Sequence, residues 1–143
     1  MSQLRIPAVY MRGGTSKGVF FLAEDLPSDP QARDRILMRV IGSPDRYGKH
    51  TDGMGGATSS TSKVVILSKS GRPDCDVDYL FGQVAIDQPL VDWSGNCGNL
   101  TGVVTPSSLS WPARTSAATV PRPWKPTGIC PAATSVAACV APL

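Results

Sequence analysis

The feature that most limits what this chain can fold into is a break in its composition near residue 105. All 11 acidic residues and 13 of the 14 glycines precede residue 106. Residues 106–143 hold 7 of the 13 prolines, 8 alanines, one glycine and no acid. From Pro106 to Pro131 there is neither a helical apolar stripe nor strand alternation, and only Thr134 to Val140 reads as a short helix. Such a segment has no face to bury and is expected to stay outside a packed core. A natural disordered tail or a stretch translated out of frame would both look like this. The expected division is a folded part, 1–105, and a tail, 106–143.

The net charge of +3 follows the same break. Up to residue 105 the 11 acids are matched by 11 of the 14 Lys and Arg, and the excess comes from Arg114, Arg122 and Lys125. No basic face is left to bind nucleic acid. With 41% hydrophobic and 17% charged residues the chain reads as soluble and globular. No apolar run approaches the ~18–20 residues of a membrane span. Met1 to Ile6 lacks the apolar core of a signal peptide, so a cytoplasmic protein without membrane association is expected. Cys75, Cys97, Cys130 and Cys139 form no C-x-x-C pair and His50 is the sole histidine, so neither a metal site nor a disulfide framework is expected.

The front part reads as α+β. Arg5 to Met11 is a first strand, Arg12 to Gly18 a glycine-rich turn, and Val19 to Leu22 a short second strand. Ser28 caps a helix that tolerates Pro30 in its first turn, carries an apolar stripe of Ile36, Leu37, Val40 and Ile41, and stops at Gly42. After a polar stretch from Ser43 to Ser62 comes a third strand, Lys63 to Ser68. Val77, Tyr79 and Phe81 alternate on a fourth strand, and the phase shift to Val84 and Ile86 predicts a bulge at Gly82-Gln83. Ser94 to Asn99 is a loop entering a helix near Leu100. Strands and helices without a regular βαβ rhythm predict a mixed, partly antiparallel sheet packed on helix.

Three loops set small polar residues beside strand ends: Arg12–Gly18, Asp52–Ser62 and Ser94–Asn99. Glycines there either make tight turns or bring backbone N–H groups to a carboxylate or phosphate, helped by the positive end of a helix dipole. Gly55, Gly56, Gly95 and Gly98 suit the second role. Lys17 and Lys63 border two of these loops. Each is either a solvated surface lysine or an anion partner, and a buried lysine can also serve as a base. Lys63 is the stronger candidate, with hydroxyls from Thr58 to Ser62 before it and an apolar strand after it. Cys97, between glycines at the expected helix start, is either an inert buried cysteine or a stabilised thiolate. Neither GxGxxG nor a Walker A order occurs. The residues alone indicate a small-anion site with room for proton-transfer chemistry.

Four segments, Tyr10–Gly18, Asp52–Lys63, Val77–Val84 and Asp92–Leu100, together resemble the 2-methylaconitate cis–trans isomerase family, relatives of 4-oxalomesaconate tautomerase with a diaminopimelate epimerase-like fold. The resemblance runs from about residue 5 to about residue 104. It implies a cofactor-independent shift of a proton and a double bond within an unsaturated tricarboxylate, in the 2-methylcitrate route of propionate breakdown. It implies catalytic roles for Lys63 and Cys97. It implies substrate contacts from Arg12, Gly13, Thr15, Ser16, Lys17, Met54, Gly55, Gly56, Ser62, Ser94, Gly95, Asn96, Gly98 and Asn99. Family members have two similar domains with the site between them. The chain is therefore expected to hold a partial domain, cut off after about residue 105, that is completed by a missing second domain or a homo-oligomer and has little activity alone. Two other readings stay open: a 4-oxalomesaconate-type keto–enol tautomerase, and a noncatalytic anion- or partner-binding fragment.

Overall fold

The computed structural model describes residues 4–73 and 77–104. The readings made for Cys75 and for the tail 106–143 fall outside them. Five strands form one sheet in the order β1-β2-β3-β4-β5: β1 Val9–Gly13, β2 Ser16–Leu22, β3 Lys63–Lys69, β4 Val77–Val84 and β5 Val91–Asp92. Only the β2–β3 pairing is parallel, and its crossover carries α1, Pro30–Ile41. A four-residue helix, α2, Gly98–Thr101, follows β5. The mixed α+β sheet is the class the sequence predicts.

Both faces of the sheet are covered, and strand alternation sorts the side chains between them. Val19 and Phe21 of β2, Val64 and Ile66 of β3, and Val84 of β4 pack with Leu37 and Ile41 of α1. Phe20, Val65, Leu67, Val77, Tyr79 and Phe81 pack on the other face with Cys97, Leu100 and Val104. This two-sided burial explains why β3 reads as an uninterrupted apolar run.

Four local expectations need correction. The first strand begins at Val9 rather than Arg5 and runs on to Gly13. The glycine-rich turn is shorter than Arg12–Gly18, because pairing continues to Gly13↔Ser16 and leaves Gly14-Thr15 as a two-residue hairpin loop. Gly14 has φ +53°, the left-handed conformation that a hairpin turn asks of its first central residue. The cap of α1 is Asp29, whose carboxylate accepts the Ala32 N–H at 2.8 Å, rather than Ser28. No bulge interrupts β4, whose pairing with β3 runs unbroken from Lys63↔Gln83 to Lys69↔Val77. The phase shift after Phe81 arises because burial passes from one face of β4 to the other, so Val84 packs with the α1 side.

Candidate functional site

Strand register decides which candidates share a face. On β2, Ser16 and Gly18 alternate onto the α2 face with Phe20. Lys63 lies beside Gly18 on β3, and Gln83 lies opposite Lys63 on β4. Gly18 is the close-packed point of this row. A Cβ there would stand 2.8 Å from Leu100 Cδ1 and 3.5 Å from Lys63 Cβ, so the missing side chain lets α2 sit down next to the lysine.

The Lys63 amine donates to Gln83 Oε1 at 2.8 Å and stands 4.9 Å from the centre of the Phe81 ring. Gln83 Nε2 donates to the Ser62 carbonyl at 2.8 Å, the same carbonyl that accepts the Val84 N–H at 3.0 Å. Among the described residues no carboxylate pairs with Lys63. Phe81 belongs to the buried cluster that includes Cys97.

Cys97 caps α2 and is 8% exposed. Its thiol is 3.6 Å from Ser16 Oγ, and its N–H donates to the Asn96 side chain at 2.7 Å. Asn99 Nδ2 donates to Thr15 Oγ1 at 3.0 Å and reaches Ser16 Oγ at 3.4 Å. The hairpin tip and the loop after β5 are thus one cluster, holding Thr15, Ser16, Cys97 and Asn99 with Gly13 beneath. Gly98 and Asn99 are the first residues of α2, where N–H groups find no intrahelical carbonyl. The Tyr79 hydroxyl donates to the Cys97 carbonyl at 3.4 Å, and burial pushes the phenol well above its ordinary value.

Other candidates are placed differently. Arg12 and Lys17 face each other across the hairpin and alternate onto the side of the sheet away from Ser16. Arg12 Nε donates to the Gly14 carbonyl at 3.2 Å, so part of the guanidinium folds onto its own turn. The Gly55 N–H, suited by sequence to an anion, donates instead to the Ile41 carbonyl at 3.0 Å, and the Met54 N–H beside it donates to the Val40 carbonyl at 2.7 Å. That segment is an anchor to the end of α1. Its link to the hairpin is the Lys17 N–H, which donates to the Ser60 carbonyl at 2.8 Å. Ser94 turns back on Asp92, whose carboxylate accepts from both the Ser94 hydroxyl and N–H and is held below its ordinary value by them.

Two residues were given no site role from sequence. Gln83 is one. Its signal was its place in the Val77–Val84 segment, but only the β3–β4 register shows that it meets Lys63. His50 is the other. It is 2% exposed, and its Nδ1 accepts the Ala57 N–H at 3.3 Å with Ser62 Oγ 3.5 Å away. The ring proton then sits on Nε2, which is buried without a partner. This is a scaffold role for the loop that leads into Lys63. A cleft of about 350 Å³ lined by Arg39, Asp45, Tyr47, Lys49 and Asp52 includes neither Lys63 nor Cys97. Among the described residues no helix is long and apolar enough to cross a membrane, and no His, Cys, Asp or Glu group is placed to hold a metal ion.

The chain is 71% identical over 112 residues to a 2-methyl-aconitate isomerase of Cupriavidus necator, covering 76% of this chain and 28% of that protein. It is 54% identical over 109 residues to a 4-oxalomesaconate tautomerase of Pseudomonas putida, covering 76% of this chain and 30% of the relative. The crystal structure of a methylitaconate-delta-isomerase superposes with a TM-score of 0.70 at 48% identity, covering 75% of this chain and 47% of that one. The chain therefore shares the fold of about half of that isomerase chain, and it spans between a quarter and a third of the length of these two curated relatives. The family described as "PrpF protein" matches residues 3–117, and the chain belongs to that family.

Proposed function

We propose that residues 4–104 carry one side of an isomerase site that shifts a proton and a double bond within an unsaturated tricarboxylate of the 2-methylaconitate kind. The observation that supports this most is the row at Gly18, which seats the start of the Lys63 side chain and the helix following Cys97 side by side on one sheet face. In this reading neutral Lys63 takes a proton from a carbon conjugated to a carboxylate. The electron pair spreads into that carboxylate as an enolate-like anion. The double bond re-forms one position along, and the Cys97 thiol returns a proton to the other carbon. Positioned acid–base groups contribute about 10²–10⁴-fold each in such steps. The Ser16 and Thr15 hydroxyls, the Asn99 amide and the start of α2 are the donors nearest the developing charge. The 71% identity to a 2-methyl-aconitate isomerase, against 54% to a tautomerase, favours the first substrate class over a keto–enol substrate.

The chain spans 28% of the Cupriavidus necator relative, so the proposal is tested within that relative's full length. The test places residues 4–104 in the matching stretch of the Cupriavidus necator isomerase and follows deuterium incorporation from D₂O into 2-methylaconitate by NMR. The graft is expected to exchange. Lys63→Ala should slow exchange by about 10²-fold or more, the contribution of a positioned base. The 143-residue chain alone should show no turnover. Near-normal exchange in the Lys63→Ala graft overturns the lysine's role. Preference for 4-oxalomesaconate in a parallel assay would favour the tautomerase reading.

A further inference from the structure

We propose that Gln83 is the positioning residue of Lys63, a neutral amide that aims the amine by its oxygen without adding charge beside it. The inference rests on the reading of Lys63 as the proton-transfer group. Its own support is geometric. Register sets residues 63 and 83 directly opposite, and the amide is held at both ends: Nε2 on the Ser62 carbonyl at 2.8 Å and Oε1 on Nζ at 2.8 Å. Because the NH₂ end is occupied by a carbonyl, which only accepts, the oxygen end must face the lysine. An acceptor oxygen can take an N–H from either the ammonium or the neutral amine, so it fixes the amine's place in both states. With one N–H so engaged, the lone pair of the neutral amine points away from the amide. A carboxylate in this position would favour the ammonium and oppose proton uptake from substrate. Ser62, which fixes the amide, is fully buried beside His50, so the clamp stands on a packed base.

The test compares the 143-residue chain with its Gln83→Glu and Gln83→Leu variants by reductive methylation with labelled formaldehyde, mapped by mass spectrometry. Lys49 and Lys69 serve as internal references. Glu keeps the shape and adds charge, and should slow methylation of Lys63 about fivefold or more at neutral pH, an effect that 1 M salt shrinks. Leu removes the acceptor and should speed it about twofold or more by freeing the amine. Should Leu disturb the fold, all three lysines change together and the Glu variant decides. Lys63 labelling unchanged in Gln83→Glu overturns the proposal. In the active graft, Gln83→Glu should move the acid limb of the exchange profile to higher pH and lower kcat more than it changes KM, whereas a merely structural defect leaves the profile in place. Labelling needs no turnover. If it responds to residue 83 while exchange ignores Lys63, the clamp stands and the catalytic reading fails.

Discussion

The side-chain amide of Asn99 donates to the Thr15 hydroxyl at 3.0 Å, tying the loop after β5 to the tip of the first hairpin across 84 residues of chain. The contact is close because Gly13 has no side chain: a Cβ there would overlap the Asn99 carbonyl and stand 3.2 Å from Val103 Cγ1. Gly13→Ala should therefore cost about 1–3 kcal/mol, as overpacking does. Gly98, at the start of α2, has nothing within 4 Å of its Cβ position, and Gly98→Ala should be neutral or stabilising by up to about 1 kcal/mol. Urea titration of both variants checks the contrast, and equal effects would refute the close-approach account.

The Asp45 carboxylate accepts the backbone N–H groups of Tyr47, Lys49 and His50 at 2.9, 2.9 and 2.7 Å. These bonds, led by that of Tyr47, hold its pKa below the ordinary 3.8. A depressed carboxyl stabilises the fold fully above its ordinary pKa and loses that contribution as pH falls through the lowered value. Asp45→Asn should therefore lower the thermal midpoint at pH 7, and the gap from wild type should close in more acid solution, below the lowered pKa. A gap that stays constant with pH would count against the carboxylate.

Helix capping supplies a paired test. Asp29→Ala removes the acceptor for the Ala32 N–H and should cost about 1 kcal/mol. Ser28→Ala, one residue earlier, should stay within about 0.5 kcal/mol of wild type. Chemical denaturation of the two variants separates them, and a larger loss at Ser28 would reverse the cap assignment.

His50→Ala leaves the half-buried Ala57 N–H without its acceptor and opens a cavity beside the buried Ser62. A loss of about 2 kcal/mol or more is expected from those two effects together. The Asp52–Ser62 loop should also become the earliest site of limited proteolysis among residues 4–104. Protection of that loop in the variant would show that the histidine does not hold it.

Much of the fold was legible because its signals are local. The apolar stripe of α1, its stop at Gly42, the Val64–Leu67 run and the alternation of Val77, Tyr79 and Phe81 each follow from a single period of the chain. The errors are where a local pattern had two causes. A phase change in β4 is the same in sequence whether a residue is inserted or the buried face switches, and only pairing with β3 distinguishes them. Ser28 and Asp29 both suit a cap, and backbone geometry chose Asp29.

The sequence by itself determined the mixed α+β class and the list of candidate polar residues, because periodicity, turn chemistry and the motif order are properties of neighbours in the chain. Tertiary structure decided how those candidates are grouped. Alternation along β1 and β2 separated Ser16 from Arg12 and Lys17, and the bonds to α1 carbonyls took up the Met54 and Gly55 N–H groups. Pairing across strands brought Gln83 to Lys63 and the hairpin tip to Asn99. Those contacts join residues 20 and 84 positions apart, and no local pattern encodes a distance of that kind.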